Sequence, residues 1–168
     1  MILNNATIRG DVILPNAGVT NFGGIVGNEN LIPNSQINET SNRYGFGIRR
    51  LSQPLKSNTT YTLTLNGKSI PNGNTTKYLR CFLYDTNWKK SWSIELPETE
   101  NTTKSITFTT GDVPLGTIYE IASYWYPSDG DRTGNATVNW YKLEEGDKST
   151  PWCPAIGDKL NPVRFWAG

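Results

Sequence analysis

The sequence predicts an all-β chain, a two-sheet antiparallel β-sandwich of jelly-roll type with an extended N-terminal arm. Three observations carry this. No window sustains the 3.6-residue periodicity of an amphipathic helix, several windows alternate apolar and polar residues with period two, and Gly, Pro and Asn bound those windows. Composition agrees, with 11% aromatic and 18% charged residues among many Thr, Asn and Gly, a mixture suited to short strands and polar turns.

In chain order, residues 1–29 read as an arm. It holds one strand, Thr7 to Leu14, and then a Gly-rich stretch from Gly18 to Gly27 with few large apolar residues. Such a segment cannot build its own core, so it is expected to pack on a neighbouring subunit. The sandwich follows over residues 30–156, with strands expected at Tyr44 to Leu51, Thr60 to Lys68, Tyr78 to Asp85, Ser91 to Leu96, Lys104 to Thr110, Tyr119 to Tyr126 and Thr137 to Glu144. Tyr61, Leu63 and Leu65 alternate with Thr60, Thr62 and Thr64, so one face of that strand is buried and the other wet. Ile106 and Phe108 likewise point inward between Ser and Thr. Leu79, Cys81 and Leu83 make an apolar face, leaving Tyr78, Arg80, Phe82 and Tyr84 on the other. Turn residues mark the joints at 52–58, 71–74, 110–112 and 127–135, the last being the longest polar loop. Residues 157–168 form a C-terminal extension.

Several function classes are disfavoured. Sixteen basic against fifteen acidic residues leave a net charge of +1, so no strong field favours nucleic acid or an anionic membrane. The start has neither a basic n-region nor a long apolar segment, and no apolar run approaches the roughly 18 residues of a membrane span, so a soluble protein with no secretion signal of its own is expected. There is no histidine, which removes imidazole bases, His-based triads and the usual zinc sites. Neither GxSxG nor a P-loop occurs, and Glu95, Glu98, Glu100, Glu120, Glu144 and Glu145 are scattered through polar turns and the closing segment. A non-enzymatic protein is expected, with no cofactor. Asp129-Gly-Asp131 resembles the start of a calcium loop, but Trp140 stands where an EF-hand places its bidentate Glu; a structural calcium elsewhere, involving Asp112, stays open. Cys81 is most simply a buried thiol, with a bridge to Cys153 as the alternative. Six Asn-X-Ser/Thr sequons, at Asn5, Asn38, Asn58, Asn74, Asn101 and Asn135, are read as turn residues rather than glycan acceptors.

Two segments carry a family likeness: Asn30-Leu-Ile-Pro-Asn34, and the run from Val138 through Lys142-Leu-Glu-Glu-Gly146 to Thr150-Pro-Trp-Cys-Pro154. They resemble the "N-L-I-x-N" opening and "K-L-E-x-G-x-x-x-T-x-W-x-P" closing of carbohydrate-binding-like β-sandwich modules in bacteriophage tail, baseplate and fibre proteins. Leu55 to Leu63 and Ile106 to Thr110 resemble two internal strands of the same group, while Asn5-Ala-Thr-Ile-Arg-Gly10 and Arg164-Phe-Trp-Ala-Gly168 are similar to phrases of phage fibre shafts. The resemblance implies a jelly roll, a virion location, homotrimeric assembly through the arms alongside other virion proteins, and adhesion to host-surface polysaccharide.

Sugar rings stack their C–H faces on aromatic side chains while their hydroxyls meet polar groups, so a sugar site needs both close together. Two segments offer that mixture. In Tyr84-Asp-Thr-Asn-Trp-Lys-Lys-Ser-Trp92, Trp88 and Trp92 flank a polar turn bearing Asp85 and Asn87. In Tyr124-Trp-Tyr126, alternation sends Trp125 to one face and both tyrosines to the other. Trp88, Trp92, Trp125, Tyr126, Asp85, Asn87 and Arg80 are therefore the candidate ligand-binding residues. Each also has a structural alternative, since sandwich cores absorb Trp and Tyr, and Arg80 either donates to sugar hydroxyls or forms a surface ion pair. Trp140, Tyr141 and Trp152 are expected to pin the terminal strand.

Overall fold

The computed structural model describes residues 19–22, 25–73 and 75–158. Its elements are β1 (Val19–Phe22), β2 (Ile25–Asn28), β3 (Gln36–Ser41), β4 (Phe46–Arg50), β5 (Thr60–Ile70), β6 (Tyr78–Asp85), β7 (Ser91–Leu96), β8 (Thr102–Thr109), β9 (Tyr119–Tyr126) and β10 (Asn135–Glu145). β1 and β2 pair as a small antiparallel hairpin. The other strands form two four-stranded antiparallel sheets, ordered β3-β10-β5-β8 and β4-β9-β6-β7, which pack face to face as the expected sandwich.

The inward faces follow from period two. Leu63, Leu65 and Leu143 meet Leu79, Cys81, Leu83 and Ile121 in a core where all are fully buried. Ser123 and Tyr141 share a 2.6 Å hydrogen bond across the two sheets, so neither buried hydroxyl is left unpaired. The close approach there requires a glycine on β4: Gly47 has φ +61°, and an added Cβ would stand 2.8 Å from the Tyr141 hydroxyl.

Seven of the eight expected strands appear, and the eighth, Thr7 to Leu14, lies outside the described residues. Two elements differ from expectation. The Gly-rich stretch contains the β1–β2 hairpin, whose Val19, Thr20, Ile25 and Val26 are good strand formers. β3 was not anticipated, because Gln36-Ile-Asn-Glu-Thr-Ser41 is an edge strand that buries little besides Ser41 and part of Ile37 and is read as polar loop.

The opening and closing phrases meet. Buried Asn30 donates from Nδ2 to Ser35 Oγ (2.8 Å), Tyr141 O (3.1 Å) and Cys153 O (3.0 Å), and its Oδ1 accepts from the amides of Ile32 and Leu143. On the outer face of β10, Lys142 and Glu144 are fully buried under the segment that follows. Glu144 accepts from both the amide and the hydroxyl of Thr150, and Lys142 donates to Thr150 Oγ1 and Pro151 O. Trp152 donates its indole N–H to Ser35 Oγ, so it pins the terminal segment as expected. These phrases are therefore a clasp that closes the sandwich.

Candidate functional site

The outer face of the β4-β9-β6-β7 sheet carries an aromatic stripe. Register decides this: Arg80 of β6 lies opposite Tyr124 of β9, and Tyr78 opposite Tyr126, so the outward residues of both strands fall side by side. Tyr78 and Tyr126 rings are 5.7 Å apart, Phe82 makes edge contacts with Tyr124 (5.4 Å) and Trp88 (5.8 Å), and Tyr44 leans on Tyr124 at 4.8 Å. From Tyr78 to Tyr84 the stripe runs about 20 Å along β6, given the rise per strand residue.

Trp88 is its most prominent member. The indole lies parallel to the Tyr84 ring, with an interplanar angle of 7° and centroids 4.0 Å apart. One face is thus covered by Tyr84, and the residue as a whole is 52% exposed, which leaves the opposite face to solvent. Trp88 holds φ +57°, a left-handed conformation costly for a bulky side chain. Asp85 enforces it. Its carboxylate, on a side chain 5% exposed, accepts from the amides of Asn87 (2.9 Å), Lys89 (3.3 Å) and Lys90 (2.5 Å), while Asp85 O accepts from Trp88 N.

Polar groups interrupt the stripe. The Arg80 guanidinium lies over both the Phe82 ring (4.6 Å) and the Tyr126 ring (4.8 Å), donates to Ser93 Oγ and pairs with Glu95 at 3.3 Å. Glu120 accepts from Arg50 (2.7 Å) and from the Tyr84 hydroxyl (3.2 Å). Burial pushes the Tyr84 and Tyr124 phenols above their ordinary range, and for Tyr124 the neighbouring Tyr84 adds to the shift. Burial and then the Glu95 carboxylate raise Tyr78. All three stay neutral hydroxyls at physiological pH. The face offers C–H stacking surfaces with interspersed donors and acceptors, the combination sugar recognition needs.

Of the sequence candidates, Trp88, Arg80 and Tyr126 come together here, with Asn87 exposed in the adjoining turn. The others do not join them. Trp125, at 2% exposure, points into the core because it shares the inward phase of Tyr119, Ile121 and Ser123, and its indole N–H donates to Thr133 O under the long loop. Trp92 is inward on β7 and stacks on Phe108 at 4.1 Å. Asp85 shapes the turn from within. Trp125 is buried, Trp92 is partly buried with one ring face stacked on Phe108, and the Asp85 oxygens are taken up by the turn amides. Tyr44, Phe82, Tyr84 and Glu120 join the site without having been singled out for it, and Tyr124, which belongs to the second candidate segment, joins them; the signal was the paired alternation of 78–84 and 120–126, which needs the β6–β9 register to be read.

Among the described residues no three His, Cys, Asp or Glu side chains converge as a metal site. Asp129 pairs with buried Lys77, Asp131 accepts from Thr133, and Asp112 accepts from Asn58. Glu120 and Glu95 on the aromatic face are each tied to an arginine, which is no arrangement for general acid–base work. Cys81 is a free thiol of the core, its pKa raised by burial, and Cys153 is also free. A cleft of about 830 Å³ between Asn42, Ile70–Asn72 and Gly130–Asn135 has no aromatic lining.

No family model matches the chain, and no curated protein matches it. Among solved structures, the tripod from the baseplate of bacteriophage Tuc2009 matches over 83% of this chain and 63% of its own, with 16% identity and a TM-score of 0.51. A family 16 carbohydrate-binding module matches over 60% of this chain and 72% of its own, with 21% identity and a TM-score of 0.42. A carbohydrate-binding module from Cellvibrio mixtus lichenase 5A, solved in complex with cellotriose, matches over 78% and 89%, with 14% identity and a TM-score of 0.37. The chain thus spans less than two thirds of the tripod chain, and the likeness to it is one of fold.

Proposed function

We propose that this chain is a glycan-binding module of a bacteriophage tail, baseplate or fibre, which holds host-surface polysaccharide against the outer face of β4-β9-β6-β7. The observation that carries this is Trp88: a half-exposed indole, kept in a costly backbone conformation by a buried carboxylate, with one ring face braced and the other open. Core packing gives no reason for that expense, whereas a stacking platform for a pyranose does. Arg80, Glu120, Tyr126 and Asn87 supply hydroxyl partners along the stripe.

The virion setting draws support from the fibre-like phrases at both ends of the sequence and from the fold shared with a baseplate protein. In that setting residues 1–29 and 157–168 flank a module of residues 30–156. The arms join three copies beside other virion proteins, and several modest sites hold the host by avidity. The test is a microarray of bacterial surface polysaccharides probed with the multivalent protein. Binding that is lost in Trp88→Ala is expected; absence of binding to every polysaccharide even in the assembled oligomer would overturn the proposal.

A second reading is favoured by the apolar exposure of the same face, where Tyr44 and Ile48 accompany Trp88. There the stripe is a contact with another virion protein. It predicts that Trp88 is buried in the assembled particle and unreactive to oxidation, whereas the glycan reading leaves it accessible.

A further inference from the structure

The opposite sheet carries an aromatic and amide patch that the first face does not explain. It originates in β10. Val138 and Tyr141 both lie in the core at zero exposure, three positions apart, a spacing no regular strand can produce. The register shift between Val138 and Trp140 resolves it, delivering two successive side chains, Asn139 and Trp140, to the outer face. The sequence is adapted to this bulge. Gly67 lies opposite Val138, and an added Cβ would stand 2.3 Å from Thr137 O and 3.0 Å from Leu79 Cδ2.

Around the bulge most outward side chains are neutral: Lys68, opposite Thr137, stands at the margin, and Lys142 and Glu144 beyond Trp140 pair with each other beneath the clasp. Asn139 donates from Nδ2 to Asn66 Oδ1 (2.7 Å) and Asn101 Oδ1 (3.2 Å), and Asn66 donates to Thr103 Oγ1 (2.9 Å). This leaves the Asn101 amide nitrogen and the Asn139 carbonyl without a protein partner among the described residues. Trp140, partly exposed, lies 6.4 Å from Trp152, whose own N–H is anchored on Ser35. The core takes Val138 and Tyr141 and has no use for the Trp140 ring, while the clasp is fastened by Thr150, Pro151 and Trp152.

We infer that this patch is a second binding surface, for an uncharged glycan, with Trp140 as the stacking ring and Asn139 and Asn101 as hydroxyl partners. The two faces differ in chemistry. Arg50, Arg80, Glu95 and Glu120 mark the first, whereas amides and hydroxyls surround Trp140 on the second, where Lys68 stands at the margin and Lys142 is closed off against Glu144. Because the sheets are back to back, one protomer engages two chains, and the second surface does not depend on the first.

The test uses 15N-labelled Trp88→Ala protein, titrated with a panel of neutral hexasaccharides built on glucose, galactose, mannose, xylose and N-acetylglucosamine. Saturable shifts of the Trp140 indole and of the Asn101 and Asn139 side-chain amide signals are expected with at least one sugar. Trp140→Ala in the same background weakens that binding at least about tenfold, and Asn101→Ala, an exposed change that leaves the fold intact, weakens it several-fold. No shift with any sugar, or shifts unaffected by both substitutions, would overturn the inference. In the wild-type protein, movement of the Trp140 signal with a static Trp88 signal would sink the first-face reading and leave this one standing.

Discussion

Replacing Trp88 with glycine separates a ligand platform from a structural plug. The left-handed backbone costs an L-residue about 1–2 kcal/mol, which glycine recovers. Against this, the substitution loses stacking on Tyr84, about 0.5–1.5 kcal/mol, and adds unfolded-chain freedom worth about 0.5–1 kcal/mol. Part of the indole is also shielded by Phe82, though half of it already faces water. The sum is a destabilisation of about 1 kcal/mol or less, well short of the roughly 3–5 kcal/mol lost when a core Trp is truncated. Urea denaturation should therefore give a midpoint close to wild type with an unchanged slope. Titration calorimetry with the cognate polysaccharide should show affinity reduced at least about tenfold. A loss of 3 kcal/mol or more on the scale of core truncations, with affinity intact, would refute the reasoning.

Asp85→Ala removes charge-assisted bonds to three turn amides that water can partly replace, so about 2 kcal/mol of stability is expected to go, together with most Trp88-dependent affinity, through the turn that Asp85 holds. Unchanged affinity would contradict its positioning role. Glu144→Gln leaves Lys142 buried without its counter-charge and weakens the hold on Thr150; a loss of about 3 kcal/mol and faster proteolysis after residue 146 are expected, and wild-type stability would show the clasp to be dispensable. Burial raises the folded-state pKa of Tyr61, Tyr84, Tyr119, Tyr124 and Tyr141 above 10.0. Above pH 10 the unfolded chain then carries fewer protons than the folded one, so their stabilising contribution, complete below that pH, is lost as pH rises. Ultraviolet titration should show these phenols ionising only as circular dichroism reports unfolding; ionisation in the folded protein would contradict their burial.

Strand existence was legible wherever period two survived, as in Thr60 to Leu65 and Leu79 to Leu83, because one face there is apolar and the other is not. β3 was hidden, since an edge strand needs few apolar residues and Gln36-Ile-Asn-Glu-Thr-Ser41 has one. Alternation correctly separated Trp125 from its tyrosine neighbours but could not say which side was the core. Tryptophan is large and apolar, and the inward phase of Tyr119, Ile121 and Ser123 claimed it. Asp85 looked like a sugar ligand because turn carboxylates are commonly exposed, yet here the turn amides fold around it. The stripe depends on β6 and β9 pairing in register, and neither segment alone reveals Tyr84, Tyr124 and Phe82 as neighbours of Trp88. The outward turn of Trp140 was equally invisible, since a single-residue bulge reverses the phase of everything after it.

The central claim is that glycan lies on the outer face of β4-β9-β6-β7. Its most direct test is the nitrogen–proton spectrum of the tryptophan indoles during titration of wild-type protein with fragments of host-surface polysaccharide. A saturable shift of the Trp88 indole signal is predicted, with those of buried Trp125 and of Trp92, which packs against the core, unmoved. A Trp88 signal that stays fixed at saturating glycan would contradict the account.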